Sequence, residues 1–445
     1  MAFIGLSESR KRAIESGIED YALFSISRFS IPVSIIIPSR NEEKWISQCV
    51  NSVLNINYPE FEIIIVNDGS TDRTLHILKD LLQLKPILNP YVDRFDAGKI
   101  DGVFKSAAYP FVTVLSKTGG HKKAGACNTA LNIARYKYIC VLDSDTVLEN
   151  DVFLKVMAHV QKDPENIIGA GCYFGLVNGF LLNKGKIVSR RFVSRPIIGY
   201  QNLEYIRSFI GNRLAWSRFN SMPIVSGGFA VWRRDVVLEL GGFSENFSSE
   251  DLEFTFRAHD YIVKKKKPYK ILMLPYCAGW TAGPTNIRAL IKQRNRWQRV
   301  TNESVWKYRH MFLNPKFRYL GFVTFPYYLF YEVLGPFVEI SSVVVFLAAG
   351  VAGISDFQFM GVLFLLMMLS QTIISLLSIL SFSRDQEFMK AGDTVYLVLL
   401  VFFEFFWYRW IISAAKISGT ISFFRGIRTM DQFARTGGGD ANEKK

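Results

Sequence analysis

Carboxylates recur along the chain in short polar strings, and they are the residues best suited to do chemistry. Asp68 lies in an Asn-Asp-Gly-Ser string, Asp143 and Asp145 form an Asp-Ser-Asp motif, and Glu250 and Asp251 are adjacent. Carboxylate oxygens are ligands that Mg²⁺ and Mn²⁺ prefer, and magnesium commonly takes one or two of them together with phosphate and water. A carboxylate can also act as a general base on a hydroxyl group. Each motif alone is equally an ordinary turn or helix start.

A second polar pattern combines an amide, a guanidinium and an indole. Gln293, Arg296 and Trp297 are spaced i, i+3 and i+4, so they share one face of the basic helix predicted over 286–307. An arginine can bind phosphate through two parallel hydrogen bonds, and a tryptophan offers a flat surface for a sugar ring. The alternative is a helix lying on a membrane, with Trp297 as an interfacial anchor.

The acidic strings are predicted to lie at one edge of a parallel sheet. Apolar, β-branched runs at 31–38, 61–66 and 138–142 are typical of buried strands, and each is followed by a polar or acidic turn. The segment 42–55 between the first two runs has helical periodicity. Strands alternating with helices favour a parallel α/β sheet, whose ligands bind at the carboxyl ends of the strands. We therefore expect the turns to share one site.

Apolar segments near the C-terminus are long enough to cross a bilayer, which takes about 20 residues. They cover 337–354, 357–380 and 394–417. The aromatic stretch at 325–335 is flanked by prolines and is too short to span, which favours an interfacial helix. The predicted organisation is a helical lead-in (1–30), an α/β domain (31–315), an interfacial helix (316–336), a transmembrane region of about three helices (337–424) and a basic, glycine-rich tail (425–445).

Charges in and after the third apolar segment leave its topology open. Glu404 and Arg409 pair with each other, face a protein-lined space, or lie near an interface and extend to it, and the sequence leaves these alternatives open. Three spans would place the tail across the membrane from the α/β domain. The tail nevertheless carries Arg425, Arg428 and Arg435, which favour the cytosolic side. A fourth membrane element, or a re-entrant third one, would reconcile the two expectations.

Composition narrows the class of protein. Hydrophobic residues make up 49% of the 445 residues, which is high for a wholly soluble chain. The five cysteines show no Cys-x-x-Cys spacing, so neither a disulfide framework nor a zinc site is predicted. The net charge of +14 could serve nucleic acid, anionic lipid or a phosphorylated substrate. No nucleic-acid recognition motif accompanies it, so we expect no nucleic-acid partner.

The order of these motifs, with Gln-x-x-Arg-Trp just ahead of apolar helices, resembles the membrane-embedded glycosyltransferases of family 2. That family includes cellulose, hyaluronan, chitin and poly-N-acetylglucosamine synthases. The resemblance covers about 30–340 and includes Pro38 to Glu42, where Arg40 replaces the usual Tyr, and Lys123 to Asn128, which resembles K-A-x-x-x-N. It implies a GT-A-like fold, a mixed and mostly parallel α/β sheet domain followed by an interfacial helix and a C-terminal transmembrane helix bundle.

The resemblance also implies a role for each site residue. Asp251 would be the catalytic base, and Asp145 would bind the metal, Mg²⁺ or Mn²⁺. Glu250 and Trp297 would bind the acceptor. The residues implied for nucleotide-sugar binding are Pro38, Asn41, Glu42, Asp68, Lys123, Asp143, Asp145, Gln293 and Arg296.

The implied function is transfer of a sugar from a nucleotide diphosphate sugar, expected to be a UDP-sugar, to an acceptor hydroxyl with inversion. We expect processive synthesis of a β-linked polysaccharide by a multi-pass protein of the cell membrane with a cytosolic catalytic domain. The alternative is transfer of a single sugar to a lipid acceptor, as in ceramide glucosyltransferase-like enzymes. A catalytically inactive scaffold is disfavoured because the motifs are intact. The acceptor, glycan or lipid, and any accessory subunits are left open.

Overall fold

The computed structural model describes residues 2–18, 21, 24, 27, 29–88, 93–95, 98–119, 122–192, 195–353, 357–386, 388–427 and 439–440. The chain divides into two compact units. The sheet unit comprises residues 11–191, 224–282 and 437–445, and the helical unit comprises residues 1–10, 192–223 and 283–436. The acidic motifs fall in the sheet unit. The Gln-x-x-Arg-Trp motif and the apolar segments fall in the helical unit.

The strands are numbered in chain order. They are β1 (Val33–Ser39), β2 (Phe61–Asp68), β3 (Leu84–Pro86), β4 (Ile100–Ser106), β5 (Val112–Lys117), β6 (Tyr138–Leu142), β7 (Thr146–Leu148), β8 (Ile167–Leu176), β9 (Leu181–Asn183), β10 (Lys186–Ser189), β11 (Phe229–Arg233), β12 (Lys270–Thr281) and β13 (Gly439–Asp440).

The α-helices are numbered in the same way. They are α1 (Ala2–Ile18), α2 (Ile46–Leu54), α3 (Thr74–Leu82), α4 (Lys123–Leu131), α5 (Val152–Gln161), α6 (Pro196–Ile206), α7 (Leu214–Arg218), α8 (Arg234–Glu239), α9 (Glu250–Lys265), α10 (Ile287–Lys307), α11 (Phe325–Tyr327), α12 (Gly335–Val351), α13 (Phe357–Asp385), α14 (Ala391–Glu404) and α15 (Tyr408–Phe424).

A ten-stranded mixed sheet forms the centre of the sheet unit, in the order β3-β4-β5-β2-β1-β6-β11-β8-β12-β7. Strands β5, β2, β1 and β6 are parallel, and β11 is antiparallel to both of its neighbours. The apolar runs predicted to be strands are β1, β2 and β6. The predicted fold class, a mixed and mostly parallel α/β sheet, is confirmed.

Strands β1 and β6 occupy the centre of the sheet, where both faces are covered, because they are apolar on both faces. Every residue of β1 and β6 is buried. Helix α2 covers one face with Ile46, Cys49, Val50 and Val53, the periodicity predicted from the sequence, and these side chains join the main buried cluster. Since β1 lies between β2 and β6 and all three are parallel, the polar turns after them meet at one edge of the sheet.

The helical unit contains the apolar segments. Helical residues run from Leu320 to Val351 through short α and π segments, and this run and the helix segment Phe364–Arg384 are long and apolar enough to cross a membrane. Helices α14 and α15 pass the same test only as a pair, and they are bent by 64° at a short break. The predicted interfacial segment is the first part of the run, and its boundary with the first span stays a prediction.

Two glutamates on the apolar helices of this unit are paired with arginines. Arg207 donates to both carboxylate oxygens of Glu404, at 2.7 and 2.6 Å, and both side chains are largely buried. Arg409 forms an ion pair with Glu339. Glu404 and Arg409 thus face protein partners, which is one of the alternatives left open by the sequence.

Candidate active site

Lys123 is the centre of the charged cluster in the sheet unit. Its Nζ lies 2.7 Å from Asp143 Oδ1 and 2.6 Å from Glu250 Oε1, and it donates to the carbonyl of Gly227 at 3.2 Å. Burial alone would lower the pKa of Lys123, but Asp143 and Glu250 outweigh it and raise that pKa well above its usual value. The ammonium group therefore stays charged and joins the Asp-Ser-Asp motif to the Glu-Asp motif.

A glycine turn makes room for this ammonium group. A Cβ atom on Gly227 would lie 2.6 Å from Lys123 Nζ and 3.1 Å from Glu250 Oε1. The backbone of the Gly-Gly turn before β11 therefore approaches the charged groups more closely than a residue with a side chain could. Nothing in the spacing of Gly227 and Gly228 in the sequence indicates that their turn borders the site.

Asp251 is held by hydrogen bonds at the start of α9. Its Oδ1 accepts from the Ser249 hydroxyl at 3.0 Å and from the Leu252 amide at 2.8 Å, and its Oδ2 accepts from the Gly227 amide at 3.3 Å. The first turn of α9 contains three acids, which the positive end of a helix stabilises. The first two of these acids therefore both stabilise the start of α9 and belong to the charged cluster around Lys123.

Asn128 positions the loop that leads to α9. Its amide group donates to the Phe243 carbonyl at 2.8 Å and accepts from the Phe243 amide at 2.7 Å. The side chain is buried, and a Cβ atom on the neighbouring Gly242 would lie 2.5 Å from its Oδ1. The last residue of the K-A-x-x-x-N element therefore supports the backbone, while its first residue, Lys123, lies in the charged cluster.

The turns after β1, β2 and β5 are tied together. Asn41, in a left-handed conformation with φ of 55°, accepts from the Thr71 amide at 2.8 Å through its side chain and donates to Ser70 Oγ at 3.0 Å through its backbone. A Cβ atom on Gly69 would lie 2.3 Å from the Cα atom of Gly119, so these two turns are in backbone contact. Asn41 thus fixes the turn that follows Asp68.

Asp68 is buried at the end of β2 beside a buried lysine that the sequence analysis missed. Lys117 Nζ, at the end of β5, lies 3.8 Å from Asp68 Oδ1, and neither side chain is appreciably exposed. The signal that could have found it is a lysine at the end of an otherwise uncharged strand, because a buried lysine needs a carboxylate partner.

The remaining predicted acids lie around the buried thiol of Cys49. Its Sγ donates to the Asp143 carbonyl at 3.6 Å. Burial raises the pKa of Cys49 well above its usual value, and Asp145, Glu42 and Asp143 raise it further, in that order. All three carboxylates are therefore close enough to the Cys49 thiol, beneath the turn after β6, to affect its pKa. With Pro38, which is buried in β1, the structure brings the predicted sheet-unit residues to a single edge.

The Asp-Ser-Asp carboxylates suit a divalent ion that takes its other ligands from elsewhere. Among the residues the structure describes, no group of three or more His, Cys, Asp or Glu side chains is arranged to hold a metal. Asp143 and Asp145 supply carboxylates from one turn, the number that Mg²⁺ takes when substrate phosphates and water complete its coordination. The donor set fits an ion that is shared with a diphosphate.

Gln293, Arg296 and Trp297 lie on α10 in the helical unit. Gln293 is buried and accepts a hydrogen bond from Arg294, which also forms an ion pair with Glu204. The Arg294 guanidinium lies 4.2 Å from the centre of the Trp297 ring, and the indole is 39% exposed. The intervening Arg294, which the sequence analysis did not select, thus orients the motif.

Family models match most of the chain. The model of Glycosyl transferase family 2 matches residues 34–241, and that of Glycosyl transferase family group 2 matches residues 138–409. The chain belongs to glycosyl transferase family group 2. It is a glycosyltransferase, as the motifs predicted.

Individual relatives agree with this assignment. The poly-beta-1,6-N-acetyl-D-glucosamine synthase of Staphylococcus epidermidis is 25% identical over 391 residues, which are 86% of this chain and 82% of the relative. The probable glycosyltransferase YdaM of Bacillus subtilis is 27% identical over 301 residues, 67% of this chain and 62% of that one. The chain is therefore a homologue of a polysaccharide synthase.

A solved structure supports the fold over the whole length. The mannosyltransferase PcManGT from Pyrobaculum calidifontis, in complex with GDP-Man and Mn²⁺, superposes with a TM-score of 0.54 at 16% identity and covers 95% of both chains. At this identity the likeness concerns the fold alone. The predicted GT-A-like domain followed by C-terminal helices is confirmed.

Proposed function

We propose that this glycosyltransferase uses a nucleotide sugar, with a UDP-sugar as donor, to extend a β-linked polysaccharide with inversion. The observation that carries the proposal is the Lys123 bridge between Asp143 and Glu250, with the oriented carboxylate of Asp251 beside it. Lys123 and Asp143, which suit the binding of a diphosphate and its metal ion, are thereby held next to Asp251, which suits the deprotonation of a hydroxyl group. Because a relative is a poly-N-acetylglucosamine synthase, UDP-N-acetylglucosamine is the first donor to test.

On the donor side, the residues must bind a diphosphate and stabilise it as it leaves. Asp145 would hold Mg²⁺ or Mn²⁺, which when bound neutralises charge on the phosphate oxygens. Mn²⁺ is present in the solved mannosyltransferase. Lys123 supplies a fixed positive charge beside Asp143, and Asp68, Asn41, Glu42 and Pro38 form the edge on which we place the nucleotide.

On the acceptor side, a hydroxyl must lose its proton as it attacks the anomeric carbon. We assign this proton to Asp251, whose carboxylate is oriented by Ser249, Leu252 and Gly227. A single displacement with one base inverts the configuration of the sugar. Glu250 is proposed to act at the acceptor side through its pairing with Lys123.

The Gln-x-x-Arg-Trp residues are assigned by the family resemblance. Gln293 and Arg296 are proposed to contact the donor. Trp297 is proposed to stack on an acceptor sugar, and its partly exposed indole leaves a face for that contact.

We propose a cell-membrane location with the sheet unit in the cytosol. The run Leu320–Val351 and helix α13 would cross the bilayer and return the chain to its starting side. The 64° bend between α14 and α15 favours a re-entrant pair over a third span. The tail with Arg425 then stays on the cytosolic side, as its charge favours.

A second candidate function is the transfer of a single sugar to a lipid acceptor. The described part of the chain has two helices and a bent pair that can cross a membrane, and these offer little wall for a polysaccharide channel, which favours the single transfer. The product distinguishes the two functions, because a synthase yields a ladder of polymers and the alternative yields one glycolipid.

The test is incorporation of radiolabelled sugar by the purified chain in lipid, with Mg²⁺ or Mn²⁺ and a panel of nucleotide sugars. Asp251→Asn is expected to abolish incorporation, because the amide cannot accept the proton. Asp260→Asn on the same helix is the matched control and should retain activity. A polymeric product that disappears with Asp251→Asn supports the synthase, and a single glycolipid supports the second candidate. Full activity of Asp251→Asn would refute the assigned base.

A further inference from the structure

A cavity of about 780 Å³ lies within the helical unit, apart from the Gln-x-x-Arg-Trp residues. Its lining includes Arg195, Asn286, Arg288 and Trp407, together with apolar and small side chains. The proposed glycosyl transfer gives none of these residues a role.

Two helices begin at this cavity with arginine where acids are usual. Helix α6 follows Arg195, and helix α10 follows Asn286, with Arg288 as its second residue. Neither helix has an acidic residue in its first turn. The start of a helix carries partial positive charge, so a cation there is locally unfavourable. Asn286 caps α10 by accepting from the Ala289 amide at 2.9 Å, but no carboxylate balances the two arginines in these first turns. A local rule broken twice at one cavity is typical of a functional site.

Neither arginine is paired with a carboxylate of the residues that the structure describes. Both side chains are exposed. No ion pair or side-chain hydrogen bond joins either one to another residue in the described part of the chain. Other arginines of the same unit do have such partners, as Arg207 does with Glu404. The cavity therefore combines two unneutralised guanidinium groups with two positive helix ends, and its complement is an anion.

The position of Trp407 suits a cavity at the level of lipid headgroups. It lies in the break between α14 and α15, the bent pair of apolar helices, and its ring meets Tyr200 edge-on at 5.2 Å. Tryptophan is enriched at the level of lipid headgroups. A cationic cavity bordered by an apolar helix pair and a tryptophan matches the boundary between acyl chains and headgroups.

We propose that this cavity binds the phosphate of an anionic phospholipid headgroup. Arg195 and Arg288 can each donate two hydrogen bonds to phosphate oxygens. The free amides at the start of α10 face the same negative charge, which is the arrangement of helix-end anion sites. The acyl chains would extend along the apolar surface of α14 and α15. The site would make the protein select anionic lipid from its bilayer.

The test is native mass spectrometry of the detergent-solubilised full chain, titrated with phosphatidylglycerol or phosphatidylcholine. We expect retention of phosphatidylglycerol over phosphatidylcholine. The double variant Arg195→Gln/Arg288→Gln should weaken phosphatidylglycerol binding at least tenfold. Arg218→Gln removes an exposed arginine of the same unit that does not line the cavity, and should change binding less than twofold.

Three outcomes would overturn the proposal. They are equal retention of both lipids, unchanged binding by the double variant, and displacement of phosphatidylglycerol by inorganic phosphate at millimolar concentration. The last outcome would assign the arginines to a free phosphate compound. The single variants, each expected to weaken binding about threefold, replace the double variant if its thermal unfolding shows that it does not fold. Failure here leaves the proposed sugar transfer intact, since no proposed catalytic residue is altered.

Discussion

Lys123 Nζ and Glu250 Oε1 lie 2.6 Å apart, although 126 residues separate them in the chain. Glu250 is almost fully buried, so this ion pair is what allows a charged carboxylate at that position. The same ammonium group contacts Asp143, and it therefore neutralises two motifs at once. A single side chain thus contacts an acid of the Asp-Ser-Asp motif and an acid of the Glu-Asp motif.

Removing this lysine should destabilise the protein. Lys123→Met leaves Glu250 buried without its partner, and we expect the free energy of unfolding to fall by about 3 kcal/mol. The double variant Lys123→Met/Glu250→Gln removes the unpaired charge and should recover most of the stability but not the activity. Lys137→Met, which breaks an exposed pair with Glu165, should leave the unfolding midpoint nearly unchanged. Thermal unfolding in detergent measures all three, and an unaltered midpoint for Lys123→Met would contradict the argument.

The raised pKa of Lys123 also predicts a pH dependence. Burial opposes the charged form, but Asp143 and Glu250 raise the pKa of the folded state above the ordinary lysine value of about 10.4. A group with a raised folded pKa contributes its full stability below the unfolded pKa and loses it as the pH rises through the folded pKa. The stability difference between the parent and Lys123→Met should thus be constant from pH 6 to about pH 9 and shrink above about pH 10.4. A difference that stays constant above about pH 10.4 would contradict the raised pKa of Lys123.

Asn128 should matter for stability out of proportion to its size. Asn128→Ala leaves the amide and the carbonyl of Phe243 without their buried partners, and the expected cost is about 2 kcal/mol. Asn132→Ala, one turn later, is the matched control: Asn132 is partly exposed and its hydrogen bonds with Asp93 and Arg94 are open to solvent, so the free energy of unfolding should fall by less than about 1 kcal/mol. Chemical unfolding monitored by circular dichroism gives both values, and equal effects would show that the Phe243 bonds contribute little.

The sequence predicted those parts of the fold that depend on local pattern. Strands β1, β2 and β6 are short runs of β-branched residues, and burial on both faces requires such runs whatever surrounds them. The acids after β2 and β6 follow from the rule that ligands bind at the carboxyl ends of parallel strands. The family and the enzyme class followed from the order of the motifs.

The contacts inside the site could not be predicted because they join distant segments. Lys117 beside Asp68 and Gly227 beneath Lys123 depend on which strands become neighbours, and no spacing records that. The break between α14 and α15 could not be predicted from the sequence for another reason. The sequence Phe405-Phe406-Trp407 is apolar and contains neither proline nor glycine, so hydropathy predicted one continuous segment over 394–417.

The break between α14 and α15 determines on which side of the membrane the chain continues after α15. If α14 and α15 form a re-entrant pair, the residues before and after the pair are on the same side. Lys390 and Arg425 are exposed at these two positions, and each can be replaced by cysteine. The native cysteines are all buried, so they should not react with a membrane-impermeant maleimide in intact cells.

We expect Lys390→Cys and Arg425→Cys to be protected from the impermeant reagent in intact cells and to react after permeabilisation. Labelling of Arg425→Cys alone in intact cells would show that the pair crosses the bilayer as one bent span. The bend favours the first result, because the pair turns by 64° at Phe405 to Trp407 and does not continue along one axis.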